Sequence, residues 1–166
     1  MKEIKKTCLI VGEGQSEVAF LKHLRKMEEC RRSNLKITIK NAFGKGARHV
    51  IEYTIRTSSH IDYDIIIAFF DTDTDWDAQV EKKAKDHNII TIKSNPCLEG
   101  MLLRVLGVNF NKYADLKKIF APYVNNDSTK EENYLNHFSE IKIRNMNGRD
   151  NEFDKLLKKI GFKIKK

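Results

Sequence analysis

The sequence predicts an α/β fold: a mostly parallel four-stranded sheet flanked by helices, with a helical C-terminal extension. Three observations carry this. Four apolar segments with β character fall in the first 95 residues. Amphipathic helical patterns lie between them. After Asn95 only helical patterns remain. Strands that alternate with helices form right-handed βαβ units, and such units make a parallel sheet.

The strands are expected over 7–11, 35–39, 65–70 and 89–92. The third reads Ile-Ile-Ile-Ala-Phe-Phe and is apolar throughout. That suits a strand buried on both faces. Val18, Leu21, Leu24 and Met27 recur on one face of a helix expected over 16–31. Ala47, Val50, Ile51 and Thr54 follow the helical spacing in the next. The segment 75–87 is polar, with Ala78, Val80 and Ala84 as its few apolar positions, so that helix should lie near the surface. Asn95-Pro96 reads as an N-cap followed by proline at the first helical position, opening a helix that runs to Leu106 and stops at Gly107. A second C-terminal helix is expected over 114–123. Ser128-Thr129-Lys130-Glu131 has capping-box form and opens a third, to Phe138. Phe153, Leu156, Leu157 and Ile160 mark a last amphipathic helix, ended by Gly161. The segment 145–151 reads as a loop. The organisation expected is one compact domain: an α/β core over 1–106 and a helical extension over 107–166 packed on it.

Composition narrows the function classes. The 166 residues are 40% hydrophobic and 33% charged, as in a folded soluble protein. No apolar run approaches the ~20 residues of a membrane helix. The apolar run from Cys8 to Val11 is short for a signal-peptide core, so a cytoplasmic location is expected. Cys8, Cys30 and Cys97 are scattered and form no CxxC pair, and the five histidines add no ligand spacing. Zinc and a disulfide framework are therefore disfavoured, and buried small residues are expected there. A net charge of +8 and a pI near 9.3 favour a polyanionic partner such as DNA or RNA. Six lysines and no acid lie between Lys155 and Lys166. Their ordinary reading is a solvated helix face. Against this background, four aspartates stand within the seven residues Asp71 to Asp77.

Three acidic motifs fall at the C-terminal ends of expected strands, the edge at which open α/β sheets bind ligands. Gly12-Glu13-Gly14-Gln15-Ser16-Glu17 follows the first strand. Its glycines allow close backbone approach, and Glu13 and Glu17 can share a face one helical turn apart. Asp71-Thr72-Asp73 follows the third strand. Like charges leaving a buried strand repel, and a hard cation such as Mg²⁺ or Mn²⁺ relieves this. Asp75 and Asp77 suit the start of the next helix instead. Ser94-Asn95-Pro96-Cys97-Leu98-Glu99 follows the fourth strand. Glu99 sits in a first helical turn, where a carboxylate also complements the helix dipole. Lys93 is placed to meet phosphate charge, although a surface lysine is the commoner state.

These motifs resemble those of a known family. Val-Gly-Glu-Gly-Gln-Ser-Glu-Val-Ala-Phe-Leu, from Val11, is similar to the EGxTExxYF start of RloB-like proteins of the Toprim-fold superfamily. Phe-Phe-Asp-Thr-Asp and Ser-Asn-Pro-Cys-Leu-Glu-Gly-Met-Leu-Leu resemble that family's DxD and SNPCFExWLL segments. The likeness spans about residues 7–106. Ser16 replaces the usual threonine, and Gly100 and Met101 stand where the family carries bulkier residues. The resemblance implies a Toprim-like sheet, like that of the OLD nucleases, and a divalent-metal-dependent nuclease acting on DNA or RNA. It also implies a phage-defence setting, often with a separate ATPase partner protein. Glu13, Asp71 and Asp73 would hold one Mg²⁺ or Mn²⁺, with Glu17 and Glu99 completing a second site or its surroundings. Two such ions stabilise attacking and leaving oxygens in phosphodiester displacement. Glu13 or Glu17 would act as general base.

Two rival readings stand. Asp71-Thr72-Asp73-Thr74 also fits the nucleophile motif of HAD phosphatases, with Asp71 forming an aspartyl-phosphate. That motif usually ends the first strand, however, not the third. Alternatively the chain is a non-catalytic nucleic-acid-binding or assembly module. No P-loop motif occurs. Whether the chain forms a homodimer is left open.

Overall fold

The computed structural model describes residues 3–73 and 75–164. Thr74, in the phosphatase-like motif, and Lys165 and Lys166, in the basic tail, lie outside the described residues. Strands β1 (Lys6–Gly12), β2 (Leu35–Asn41), β3 (Ile65–Asp71) and β4 (Ile90–Ser94) form one all-parallel sheet in the order β2-β1-β3-β4. Helices α1 (Gln15–Arg25), α2 (Glu28–Arg32), α3 (Gly46–Ser58), α4 (Ala78–Asp86), α5 (Leu98–Leu106), α6 (Leu116–Phe120), α7 (Glu140–Arg144) and α8 (Asn151–Lys159) surround it. Short 3₁₀ turns cover Ala121–Val124 and Glu131–Tyr134. The α/β architecture with a parallel four-stranded sheet is thus as the sequence predicts, and it is consistent with a Toprim-like fold.

The strand order dictates where the helices go. The chain steps from β1 to β2 in one direction, then crosses back over β1 to reach β3 and β4. Right-handed crossovers in opposite directions put their helices on opposite faces. Cys8, Ile10, Ile67, Phe69 and Ile92 accordingly face one core with α1 and α5. Leu9, Val11, Ala68 and Phe70 face a second, smaller core with α3 and α4. The expected helical positions Ala47, Val50, Ile51 and Thr54 are all buried there. The order reverses between β1 and β3. The connections that leave their carboxyl ends therefore run to opposite faces of the sheet, which opens the crevice where such folds bind ligands.

The C-terminal half completes the first core. Phe20 of α1 has its ring 5.3 Å from Tyr134, 5.7 Å from Phe138 and 6.3 Å from Phe153. Helix α8 covers the free edge of β4. Glu152 accepts a hydrogen bond from the Lys93 main-chain N–H at 2.9 Å, and the Lys155 ammonium donates to the Thr91 carbonyl at 2.8 Å. An edge strand covered in this way is protected from pairing with other chains. Among the described residues, no helix is long and apolar enough to cross a membrane.

Five local expectations change. The helix expected over 16–31 is split, because the Glu140 carboxylate accepts from the Glu28 and Glu29 N–H groups at 3.1 and 2.9 Å and so caps a new helix, α2. Helix α5 starts at Leu98 rather than Pro96: its first N–H is taken by Asp71, at 3.0 Å, instead of by a local cap. Over 114–123 only Leu116–Phe120 is α-helical, capped by Asp115, before the 3₁₀ turn that contains Pro122. The capping box at Ser128 opens no α-helix. Its hydroxyl pairs with that of Ser16 at 2.7 Å and its carbonyl accepts from the Tyr134 hydroxyl at 2.7 Å, so the segment is shaped by tertiary bonds. Within the expected loop, Asp150 is the N-cap of α8, and α7 precedes it.

Candidate metal centre

Each strand runs one or two residues past its expected end. That brings Gly12, Asn41, Asp71 and Ser94 to a single edge of the sheet, in register Gly12 with Asn41 and Asp71 with Ser94. The chain turns sharply from β1 into α1 at Gly12. A β-carbon there would lie 3.1 Å from Glu17 Cβ and 3.1 Å from Val18 Cγ2, so glycine lets the helix fold back closely without pushing either residue aside.

Glu13 continues the ladder by one bond, its N–H donating to the Phe69 carbonyl at 3.0 Å. Its carboxylate accepts from the Asp71 N–H at 2.8 Å and from the Gly46 N–H. Glu17 lies in the first turn of α1, where its carboxylate accepts from the Gly14 N–H at 3.0 Å. Asp71 accepts from the Leu98 N–H at the start of α5. Every one of the three carboxylates is thus positioned by a main-chain donor. One oxygen from each of Glu13, Glu17 and Asp71 lies within 4.8 Å of the other two.

The electrostatics are those of a site short of positive charge. Burial pushes the Asp71 carboxyl up to about 9, and the charges of Glu17, Glu13, Asp73 and Glu99 add to the effect. Burial, then Glu13 and Glu99, raises Glu17 to about 7 despite its main-chain donors. Glu13 is raised by burial and by Asp73 and Asp75, against the lowering effect of its N–H donors. Three hard oxygen donors with no nitrogen or sulfur among them suit a hard divalent cation. This triad can bind a metal ion.

The other expected residues divide. Glu99, buried in the first turn of α5, lines the same pocket of about 520 Å³ as Glu13, Glu17 and Asp71. Asp73 stands exposed at its lip, near enough to raise both Glu13 and Asp71. Lys93 points the other way. It pairs in register with Phe70, so it shares the α3–α4 face, and its ammonium lies 5.5 Å from the Trp76 ring centre. The lysine that lines the acidic pocket is Lys117 of α6.

Sequence reasoning missed that lysine and the loop after β2. Asn41, Phe43 and Gly44 border the pocket, and the Gly44 N–H donates to the Glu13 carbonyl at 2.6 Å. The signal was present in Gly44-Lys45-Gly46, a glycine pair at a strand exit. Lys117, distant in sequence, carried none. No family model, curated protein or solved structure matches the chain.

Proposed function

We propose that the chain is a divalent-metal-dependent nuclease of Toprim type, cleaving phosphodiester bonds of DNA or RNA with Mg²⁺ or Mn²⁺. One observation carries the reading: Glu13, Glu17 and Asp71 converge from two strand ends and a helix at the point where the strand order reverses, with raised carboxyl pKa values. Mutually repelling carboxylates held together by the fold are costly without a cation, and such clusters mark functional sites.

Glu13, Glu17 and Asp71 would hold the first ion, with Asp73 and Glu99 completing its surroundings or a second position. When bound, the ions supply charge neutralisation at the scissile phosphate and its leaving oxygen. Glu17, its carboxyl raised to about 7, or Glu13, raised in the same direction by burial and by Asp73 and Asp75, takes the proton of the attacking nucleophile. Lys117 offers a positive charge to the phosphate from across the pocket. The phage-defence setting and a partner ATPase follow from the family resemblance and belong to the same proposal.

The test is calorimetry with Mn²⁺ and Mg²⁺, wild type against Asp71→Asn/Asp73→Asn, with circular dichroism to check folding. Cleavage of labelled DNA and RNA is followed alongside. Binding and cleavage that both vanish in the folded double variant support the reading. Cleavage that survives the double substitution would falsify it.

A further inference from the structure

We infer that the groove running from the acidic pocket over β2 is a track for a single-stranded nucleic acid, with Phe43 as the platform on which a base stacks. This deepens the nuclease reading and rests on it.

The groove encloses about 500 Å³ and is continuous with the acidic pocket, sharing Gln15, Asn41, Phe43 and Thr129 with it. Phe43 stands between the two. The residue is 75% exposed, and its backbone is left-handed, with φ at 61°. Both features work against stability. An exposed phenylalanine forgoes its share of apolar burial, and a non-glycine residue in this region is strained. Hydrogen bonds hold the strained loop in place. The Phe43 N–H donates to Asn41 Oδ1 at 2.7 Å, the next N–H donates to the Glu13 carbonyl at 2.6 Å, and Gly44, Lys45 and Gly46 are left-handed too, at 83°, 69° and 85°. The same loop that presents the ring therefore grips Glu13, so ring and acidic centre are fixed relative to each other.

Charge completes the track. Lys22 and Lys40 line the groove, are exposed, and make no ion pair among the described residues. Lys130 also lines it, with Asp127 only at 3.8 Å. Of the two acids in the groove, Glu131 is neutralised by Lys26 at 3.0 Å, which leaves Glu132. Lysines along a groove with an aromatic face aimed outward are the elements of single-strand binding. A duplex hides its base faces in the stack, so the ring offers it little.

Fluorescence anisotropy in EDTA tests this, using labelled oligodeoxyuridylate, oligouridylate and a duplex of equal length. Single strands are expected to bind tighter than duplex, and whichever single strand wins assigns the sugar. Phe43→Ala should weaken single-strand binding by about tenfold or more, the worth of one stacked base. Phe43→Trp should retain it. Phe43→Gly suits the left-handed backbone, so its loss of binding cannot be ascribed to misfolding. Lys22→Ala and Lys40→Ala should each lower the salt slope by about 0.7, the value for one phosphate left without its lysine. Tyr113→Ala, removing another exposed ring away from the groove, should change nothing. Wild-type affinity in Phe43→Ala, or equal affinity for duplex, overturns the track. Because no metal is present, that result leaves the calorimetric test of the metal site standing, and absent metal binding leaves the track standing.

Discussion

Asp71 leaves a strand whose last residues, Ile67 to Phe70, are fully buried, and its own carboxyl is held up at about 9 by burial and four neighbouring acids. Held that high, the carboxyl must take up a proton on folding near neutral pH, so a neutral side chain of the same shape should relieve the metal-free protein. Asp71→Asn keeps an oxygen for the Leu98 N–H, so in EDTA it should gain about 0.5–2 kcal/mol, read as a higher Tm, while losing metal affinity. A lower Tm in EDTA would contradict the electrostatic account. Gly12 supplies a steric counterpart. Gly12→Ala pushes a methyl against Glu17 and Val18, and should cost about 1–3 kcal/mol and weaken metal binding by moving Glu17. Denaturant unfolding together with calorimetry would read both effects. The lone aromatic of the β2 loop belongs to the same pattern, in which residues strained or repelling in the fold gather at one sheet edge.

Among the elements, the helix ends decide most. Helix α1 stops and α2 begins because Glu140, more than a hundred residues away, caps the new start. The same carboxylate pairs with Arg144 at 3.3 Å. Glu140→Ala leaves two N–H groups without their acceptor and should cost about 1–2 kcal/mol in urea unfolding. Little change would mean that water satisfies them equally well. The final helix was legible because Phe153, Leu156 and Leu157 lie on one stripe and all are buried. The segment after Ser128 was not, because its capping-box residues bond across the molecule to Ser16 and Tyr134 rather than to a local helix.

At the scale of the whole molecule, Phe20 joins the sheet to the C-terminal half through Tyr134, Phe138 and Phe153. Phe20→Ala should cost about 3–5 kcal/mol and lower the single cooperative transition. Two separate transitions would show that the C-terminal part folds apart from the core. The acidic centre also gives the fold a pH dependence. Asp71 is raised from 3.8 to about 9 and Glu17 from 4.5 to about 7, so in these windows the folded protein holds protons that the unfolded chain has released. Metal-free stability is therefore present at low pH and falls as pH rises through those windows. A divalent cation needs the deprotonated carboxylates, so its stabilisation should grow in the opposite sense. Thermal unfolding in EDTA and in Mg²⁺ across pH 5 to 9 would show the two curves diverging; parallel curves would remove the cation from the account.

The sequence by itself determined the layer architecture and the strands to within one or two residues, because buried parallel strands must be apolar and intervening helices must carry an apolar stripe. It also determined the acids after β1, β3 and β4, since strand ends are where chemistry is placed in such sheets. Only the tertiary structure decided which of them meet. Glu13, Glu17 and Asp71 converge, Glu99 joins their pocket, Asp73 stands at its rim and Lys93 turns to Trp76. Side-chain direction follows from register, because a strand alternates its faces, and register is set by contacts between segments that no local spacing encodes.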